Sequence, residues 1–452
     1  MASLSSYKLP KSPIKPLFLL LLSIYLLSGT FAYAQDSYAY CAYDINAKSW
    51  IAQRNFELPI KPASVQKIFV AAAALKNLGP EFRFETSLAV DRIDKHIAQT
   101  LYLIGGGDPS LSTEDLWVLS RSAKLAGISK VKRIVVDDSF HHSQLPTKGA
   151  RAYETGTSAL AINYNSVAVT GCFGGAGEGV AGVDPWESGL SAEGRIKASS
   201  SAVPSLSVSS EAVRGAYSVQ GGVSPDSGCI RVYRSNDTPS IVAGKVFLEG
   251  LKYLGIETPN SVERGEAPVN APIIDVRLSA PLREIVWGMN NFSTNMIADQ
   301  LLISLGIKGR GALDIESGAA ELRRILGLSR DARFIDGSGL SHDNRLKVSE
   351  ICNLLIESQD DWTIAPDFIS SLAVSGRSGT LRRRSFGLPD GVVRGKTGTI
   401  AGVSSLAGYI LTSSGKKIAF AVVFNGEGSK DEALRFEDKF VASLYRGETP
   451  GR

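Results

Sequence analysis

The sequence is poor in the residues that many hydrolases and metalloenzymes depend on. Its 452 residues include only four histidines, and these are scattered, so a histidine-based triad is poorly supported. They are His96, His141, His142 and His342. Cysteine-bound zinc is disfavoured because no Cys-x-x-Cys pair occurs. The Gly-x-Ser-x-Gly nucleophile elbow is also missing, which argues against hydrolases of that type. No metal or organic cofactor is called for.

A strong net charge is lacking as well. The formal net charge of +4 includes three lysines near the N-terminus, Lys8, Lys11 and Lys15. Without them the chain has 46 basic and 45 acidic residues, so no strong field for a polyanion remains. We therefore expect no nucleic-acid partner.

Long apolar runs are confined to the N-terminus. The three lysines precede an apolar run from Leu17 to Leu27, and Ala32-Tyr33-Ala34 follows before Gln35. This three-part pattern predicts a secretory signal peptide, residues 1–34, and export of the mature chain. The alternative is an uncleaved membrane anchor, but the run is shorter than the ~20 residues that span a bilayer. No later segment is apolar enough for a transmembrane segment.

Cysteine is scarce too, and the four cysteines allow three complete pairings. Cys172 and Cys229 lie in neighbouring strand-like runs, so they are the preferred pair in an oxidising compartment. For Cys41 and Cys352, burial as free thiols that act as small hydrophobic groups is an equal alternative. The sequence does not indicate an oligomeric state.

The order of strand-like and helix-like segments predicts an α+β fold. Period-two segments occur at both ends with helices between them, so we expect one antiparallel sheet flanked by helices, built from residues 35–82 and 274–452. Residues 83–273 are richer in strands and predict an inserted accessory region. Within it, residues 172–209 are rich in Gly, Ser and Ala and predict a loop. Gly177, Gly179 and Gly182 match a dinucleotide fingerprint, but Pro185 and the absence of a following helix argue against it.

The first candidate catalytic motif is Ser64-x-x-Lys67, at the start of an apolar helix predicted over residues 68–78. A spacing of three places both side chains on one helix face, so the amine can accept the proton of the hydroxyl. A lysine with the reference pKa of ~10.4 is protonated at neutral pH, so the helix must be buried deeply enough to favour the neutral amine. The same Ser-x-x-Lys pattern recurs elsewhere, for example at Ser413 and Lys416. The pattern alone therefore does not identify a catalytic pair, and other motifs must support it.

Two further motifs supply that context, Ser293-Thr294-Asn295 between helices and Lys396-Thr397-Gly398 on a strand. The three motifs in this order are typical of penicillin-recognising serine enzymes. Taken alone, Ser293 and Asn295 would be interpreted as helix caps, and Lys396 as a solvated lysine on an edge strand. Neither interpretation explains why all three motifs occur together.

Each residue type has a chemical purpose in such a site. Ser64 would form an acyl-enzyme with Lys67 as its base, and Ser293 would pass the proton to the leaving amine. Asn295 would hold Lys67 and donate its amide to a substrate carbonyl. Lys396 and Thr397 would bind a substrate carboxylate through fixed positive charge and a hydroxyl. Gly398 would let substrate backbone lie against the strand, and the N–H groups of Ser64 and Thr399 would hold the oxyanion.

With these motifs the sequence resembles the D-alanyl-D-alanine carboxypeptidase/endopeptidase family, the low-molecular-mass class C penicillin-binding proteins. The resemblance covers most of the mature chain and includes the large insertion between the first two motifs. Further shared stretches are Gly105-Gly106-Gly107-Asp108-Pro109-Ser110-Leu111, Asp137-Asp138-Ser139, Asn163-Tyr164-Asn165-Ser166-Val167, Asp336-Gly337-Ser338-Gly339-Leu340-Ser341 and Gly379-Thr380-Leu381-Arg382-Arg383.

The resemblance implies a penicillin-binding transpeptidase-like domain in a periplasmic or cell-envelope enzyme. Such an enzyme cleaves D-alanine from peptidoglycan stem peptides or cuts their cross-links, and it binds β-lactams. By motif match, Ser64, Lys67, Ser293 and Asn295 are catalytic, and Lys396, Thr397, Gly398 and Thr399 bind substrate.

Two positions depart from the family pattern, both in regions linked there to the diamino-acid side chain of the stem. His342 stands where members often have arginine, and residues 151–154 replace a tryptophan-rich acidic segment. Preference among stem peptides therefore stays open. So does the balance between carboxypeptidase and endopeptidase activity. The alternatives are a β-lactamase, which would need a second base for deacylation, and a non-catalytic penicillin-binding scaffold.

Overall fold

The computed structural model describes residues 37–141, 144–174, 178–198, 205–210, 215–308 and 312–450. The predicted signal peptide and its cleavage site lie outside these residues. Across the described ranges, no helix is long and apolar enough to cross a bilayer.

The strands are numbered here in chain order. They are β1 (Ser37–Asp44), β2 (Ser49–Arg54), β3 (Pro59–Ile60), β4 (Glu85–Val90), β5 (Ile93–Asp94), β6 (Ile97–Gly105), β7 (Lys130–Asp137), β8 (Ser166–Phe173), β9 (Gly179–Asp184), β10 (Ser191–Ala198), β11 (Ser205–Ser210), β12 (Ala216–Val223), β13 (Ile230–Ser235), β14 (Glu263–Arg264), β15 (Ile273–Leu278), β16 (Leu346–Lys347), β17 (Ala373–Val374), β18 (Val393–Ile400), β19 (Val403–Leu411) and β20 (Lys417–Asn425).

The α-helices are numbered in the same way. They are α1 (Lys67–Leu78), α2 (Thr113–Leu125), α3 (Pro239–Tyr253), α4 (Leu282–Phe292), α5 (Asn295–Ser304), α6 (Ile315–Ile325), α7 (Val348–Asp360), α8 (Ala365–Ser371) and α9 (Lys430–Arg446). Helix α8 was not expected from the sequence.

Strands from both ends of the described chain form one antiparallel sheet in the order β17-β18-β19-β20-β1-β2. Strands β19 and β20 are buried along most of their length because helices cover both faces of the sheet. Helix α9 packs on one face, and α1 and α7 pack on the other. The predicted α+β fold with an antiparallel sheet flanked by helices is therefore confirmed.

Helix α1 lies at the centre of the helical layer. Its residues from Lys67 to Leu75 are all buried, which matches the apolar sequence around its circumference. The helix ends at Gly79, whose φ of +93° suits glycine and whose N–H donates to the carbonyl of Leu75 at 3.1 Å. Deep burial of α1 is the condition that the Ser64-x-x-Lys67 motif requires.

The region between α1 and α4 contains three further sheets. One has the order β14-β7-β6-β4-β15, with β5 paired to β6, and helices α2 and α3 pack against it. The others are three-stranded, β13-β8-β9 and β10-β12-β11. The loop predicted over residues 172–209 is wrong, because β9, β10 and β11 lie there. The fingerprint glycines Gly179 and Gly182 belong to β9 and not to a loop that opens a helix.

The predicted division between residues 273 and 274 falls inside a strand. Strand β15 pairs antiparallel with β4, with Leu278 opposite Glu85. Residues 273–278 thus complete the mixed sheet of the inserted region.

Two disulfides connect distant parts of the chain. Cys172–Cys229 joins β8 to the residue that precedes β13, which confirms the preferred pairing. Cys41–Cys352 joins β1 to α7. The alternative of free thiols at these two positions is wrong, because the packing of α7 on the sheet brings their Cα atoms to 6.6 Å, within the range of a disulfide.

Candidate active site

The backbone around Ser64 is fixed by a tight contact with the turn at residues 336–341. Ser64 lies in a short 3₁₀ helix, Ala63–Gln66, that leads directly into α1. Ala63 has a φ of +47°, an unfavourable left-handed conformation for a residue with a side chain. Gly339, at φ +80°, packs against the Ala63 carbonyl so closely that a Cβ there would collide with it. Only glycine at 339 lets the turn support the candidate nucleophile.

Lys67 is fully buried and its amine is directed at the hydroxyl of Ser64. Its Nζ donates to Ser64 Oγ at 2.9 Å, to Asn295 Oδ1 at 2.8 Å and to the Ser338 carbonyl at 2.6 Å. These three acceptors fix the position of the amine. The hydroxyl of Ser64, which is only half-buried, also donates to the Ser338 carbonyl at 3.3 Å.

The second motif lies where α4 ends and α5 begins. Ser293 terminates α4 with a φ of +59°, and Asn295 is the first residue of α5. The left-handed turn directs Ser293 Oγ to the amine of Lys396, which donates to it at 2.9 Å. Asn295 holds Lys67 through its oxygen and donates from its Nδ2 to the Tyr153 carbonyl at 2.8 Å. The side-chain amide of Asn295 was expected to donate to a substrate carbonyl. One of its two amide hydrogens already donates to a protein carbonyl.

The third motif lies on β18, which runs beside Ser64. Lys396 is fully buried and also donates to the Thr397 carbonyl at 2.7 Å, while Thr397 Oγ1 donates to Thr380 Oγ1 at 2.8 Å. A Cβ at Gly398 would lie 2.7 Å from the Ser64 nitrogen, so only glycine permits this close approach of the strand and Ser64. Thr399 is exposed on the same strand. All three motifs therefore meet in one cleft.

Residues 31–445 match the D-Ala-D-Ala carboxypeptidase 3 (S13) family. The chain belongs to this family. Two curated relatives show the same similarity at the level of the whole chain. A D-alanyl-D-alanine carboxypeptidase from Actinomadura sp. (strain R39) is 32% identical over 414 residues, 85% of this chain and 76% of the relative. The D-alanyl-D-alanine carboxypeptidase DacB of Haemophilus influenzae is 25% identical over 438 residues, 90% of this chain and 91% of that protein. Family membership makes the chain a serine-type D-Ala-D-Ala carboxypeptidase.

Solved structures agree on the fold. The crystal structure of penicillin-binding protein 4 (dacB) from Haemophilus influenzae superposes with a TM-score of 0.77 at 24% identity, covering 91% of this chain and 96% of that one. The endopeptidase Bd3459 of Bdellovibrio bacteriovorus superposes with a TM-score of 0.53 at 17% identity, covering 92% and 94%.

Burial favours the neutral amine of Lys67, which is the form that a general base requires. Desolvation lowers the pKa of Lys67 to about 8, while the carboxylates of Asp299 and Asp336 oppose the change. Burial, followed by the charge of Asp336, raises the pKa of Asp299 to about 7. Burial, followed by the charge of Lys67, lowers the pKa of Lys396 well below its usual range. The positive charge expected on Lys396 is therefore weakened in the free enzyme, and a bound carboxylate would favour it again.

Sequence reasoning missed a buried carboxylate behind Lys67. Asp299 lies one turn after Asn295 on α5, and its Oδ1 accepts from the N–H groups of Gly337 and Ser338 at 2.8 and 2.9 Å. It thereby positions the turn whose Ser338 carbonyl receives Lys67. The spacing of four from Asn295 places both on one helix face and was the available signal.

Three other contributions come from residues to which the sequence assigned no role. The carbonyls of Ser338 and Tyr153 accept from Lys67 and Asn295, and the hydroxyl of Thr380 meets Thr397. Thr380 and Ser338 belong to stretches that resemble the family.

The segment that departs from the family pattern lies beside the site. Residues 152–154 form a 3₁₀ helix, and the guanidinium of Arg151 lies 5.7 Å from the centre of the Tyr153 ring. His342 is exposed, directly after the 336–341 turn, and its carbonyl accepts from Arg345 at 2.6 Å.

Proposed function

We propose that this D-Ala-D-Ala carboxypeptidase acts on peptidoglycan stem peptides in the periplasm or cell envelope through an acyl-enzyme on Ser64. The observation that carries the proposal is the 2.9 Å contact between Ser64 Oγ and a Lys67 amine whose pKa is lowered to about 8. Near neutral pH about a tenth of such amines are neutral, enough for a general base. The two disulfides are consistent with export.

Acylation begins when Ser64 Oγ attacks the carbonyl carbon of the penultimate D-alanine and its proton moves to Lys67 Nζ. The new C–O bond forms and the carbonyl oxygen becomes an oxyanion, which the N–H groups of Ser64 and Thr399 stabilise by ~3 kcal/mol per donor. Strand β18 passes close to Ser64, since a Cβ at Gly398 would lie 2.7 Å from the Ser64 nitrogen. This close approach supports an oxyanion site between the strand and the helix.

Collapse of the tetrahedral intermediate breaks the C–N bond and releases the terminal D-alanine. Ser293 Oγ gives its proton to the departing amine and recovers one from the lysines. Its 2.9 Å contact with Lys396 supports this relay. Lys396 and Thr397 hold the carboxylate of the leaving D-alanine, and water then hydrolyses the ester on Ser64.

The same chemistry extends to cross-links and to β-lactams. A D-alanyl bond to a diamino acid presents the same carbonyl to Ser64, so we propose endopeptidase activity as well. A β-lactam carries a strained amide and a carboxylate in a comparable arrangement, so we propose that penicillin acylates Ser64 and inhibits the enzyme.

The β-lactamase alternative has less support. Rapid deacylation would need a second base at Ser64, and no carboxylate among the described residues hydrogen-bonds to the side chain of Ser64 or Lys67. The scaffold alternative does not account for two buried lysines that each contact a motif serine.

The test is mass spectrometry of muropeptides before and after incubation with the mature protein. We expect loss of D-alanine from pentapeptides and cleavage of cross-linked dimers. Ser64→Ala should abolish both, together with labelling by a fluorescent penicillin. Ser413→Ala is the matched control, because this exposed serine precedes Lys416 by the same spacing outside the cleft, and it should keep full labelling. Labelling of Ser64→Ala would refute the assigned nucleophile.

A further inference from the structure

A groove of about 710 Å³ opens directly from the candidate active site and is lined by exposed aromatic rings. It shares Ser293 and Asn295 with the catalytic cleft and continues toward the inserted region. Five aromatic side chains face it and remain 46 to 70% exposed, which is unusual for rings that share one concave surface. They are Tyr153, Tyr164, Trp186, Tyr233 and Phe292.

Separate elements supply these rings. Trp186 lies in the 3₁₀ helix Trp186–Ser188, Tyr233 lies on β13, and Phe292 packs edge-on against Trp287 at the end of α4. Tyr164 has a φ of +58° between two asparagines that are also left-handed, a strained conformation for an aromatic residue. Strain of this kind persists where the surrounding structure enforces it, and it is concentrated at functional surfaces.

The polar groups of the groove select against anionic ligands. Its lining includes the carboxylates Glu114, Asp184 and Glu187 together with Asn163, and no lysine or arginine is among the described lining residues. Ligands whose net charge is strongly negative are repelled by such a surface. A neutral polymer of N-acetylated sugars is not, because its apolar ring faces stack on aromatic rings while its hydroxyl and amide groups bond to carboxylates and asparagine.

We propose that this aromatic groove binds the neutral amino-sugar strand to which the stem peptides of the substrate are attached. The inference rests on the proposed action on peptidoglycan, since the sugar is covalently joined to the peptide that reaches Ser64. Continuity of the groove with the cleft lets one substrate occupy both. Binding of the sugar raises the local concentration of its stem at the catalytic serine.

The kinetic test compares two substrates that differ only in the sugar. Trp186→Ala should raise KM about tenfold for a disaccharide pentapeptide and leave kcat unchanged, because one stacking surface is lost. The free pentapeptide should keep both constants. Trp362→Ala is the matched control, because this tryptophan is 85% exposed outside the groove, and it should behave as wild type with both substrates. An equal effect of Trp186→Ala on the two substrates, or no effect on either, would overturn the proposal.

A binding measurement separates this proposal from the catalytic one. Calorimetry with chitotetraose and with stem-free glycan strands uses the full chain as wild type, Ser64→Ala and Trp186→Ala. We expect saccharide binding to wild type and Ser64→Ala and at least a tenfold loss in Trp186→Ala. Absence of saccharide binding while D-alanine is still released rejects the groove alone. Binding without any release of D-alanine supports the groove and rejects the catalytic proposal. Trp186-dependent binding of a cationic peptide in place of the saccharide would also reject the groove proposal.

Discussion

Asparagine in place of Asp299 tests how a buried carboxylate sets the pH at which Lys67 becomes a base. The substitution keeps an oxygen that can accept from the N–H groups of Gly337 and Ser338, so the turn beside Ser64 retains its support. It removes only the negative charge. Because that charge favours the protonated amine, its loss lowers the pKa of Lys67 further.

Coulomb's law gives the scale of the effect. In general, two unit charges ~6 Å apart interact by ~3 kcal/mol at an effective dielectric constant of about 20, which corresponds to ~2 pKa units. The pKa of Asp299 is itself raised to about 7, so around pH 8, where Lys67 titrates, most but not all of the population carries the charge. We therefore expect the pKa of Lys67 to fall clearly below about 8 in Asp299→Asn.

The assay is the second-order rate of acylation by a fluorescent penicillin between about pH 5 and pH 9. The neutral amine is the reactive form, so the rate rises with pH through the pKa of Lys67. In Asp299→Asn this rise should move clearly toward acid, with a lower plateau because a weaker base accepts the proton less well. Asp343→Asn removes an exposed carboxylate close to the same turn and should leave the profile in place. A profile of Asp299→Asn that is unmoved, or moved toward alkaline pH, would refute the reasoning.

Two further substitutions test the substrate strand and the inserted region. Lys396→Ala should slow acylation by carboxylate-bearing substrates about 10- to 100-fold and by neutral esters less, measured as kcat/KM, and equal losses would contradict carboxylate binding. Burial raises the pKa of Asp108 from 3.8 to about 6, so the stability that its protonated form gives the folded state is present below pH 4 and is lost as pH rises through 6. Asp108→Asn should recover up to ~3 kcal/mol of unfolding free energy at pH 7.5 and almost none at pH 4 in urea titrations, whereas a gain of equal size at both values would rule out this cause.

Local signals in the sequence were sufficient for helix α1 and for the C-terminal strands of the antiparallel sheet. The apolar circumference of α1 and Gly79 at its end fixed the helix that carries Lys67, and alternating apolar residues located β18, β19 and β20. The occurrence of three motifs in the expected order predicted that their residues lie in one cleft. The pairing of Cys172 with Cys229 followed from adjacent strands.

Local sequence signals did not predict strands that depend on pairing with distant strands. They also did not predict residues that act through their backbone carbonyls. Strands β9 to β11 contain small and polar residues without clear alternation, and they become strands only through partners such as β8 and β12. Ser338 and Tyr153 enter the site through their carbonyls, a group that every residue carries, so no residue type marks them. Cys41 and Cys352 are brought together by the packing of α7 on the sheet, which the sequence does not encode locally.

The antiparallel sheet pairs a strand from the start of the described chain with strands from its end, so the candidate site assembles late in synthesis. Strand β1 lies beside β20, and β18, which carries Lys396, lies beside β19. A polypeptide leaves the ribosome from its amino end, so β1 can pair with β2 early but must wait for Lys417–Asn425 before its other neighbour, β20, exists. Ser64, Lys67 and Lys396 therefore come together only after β18 and β20 have been made, and the residues of the candidate site stay apart through most of synthesis.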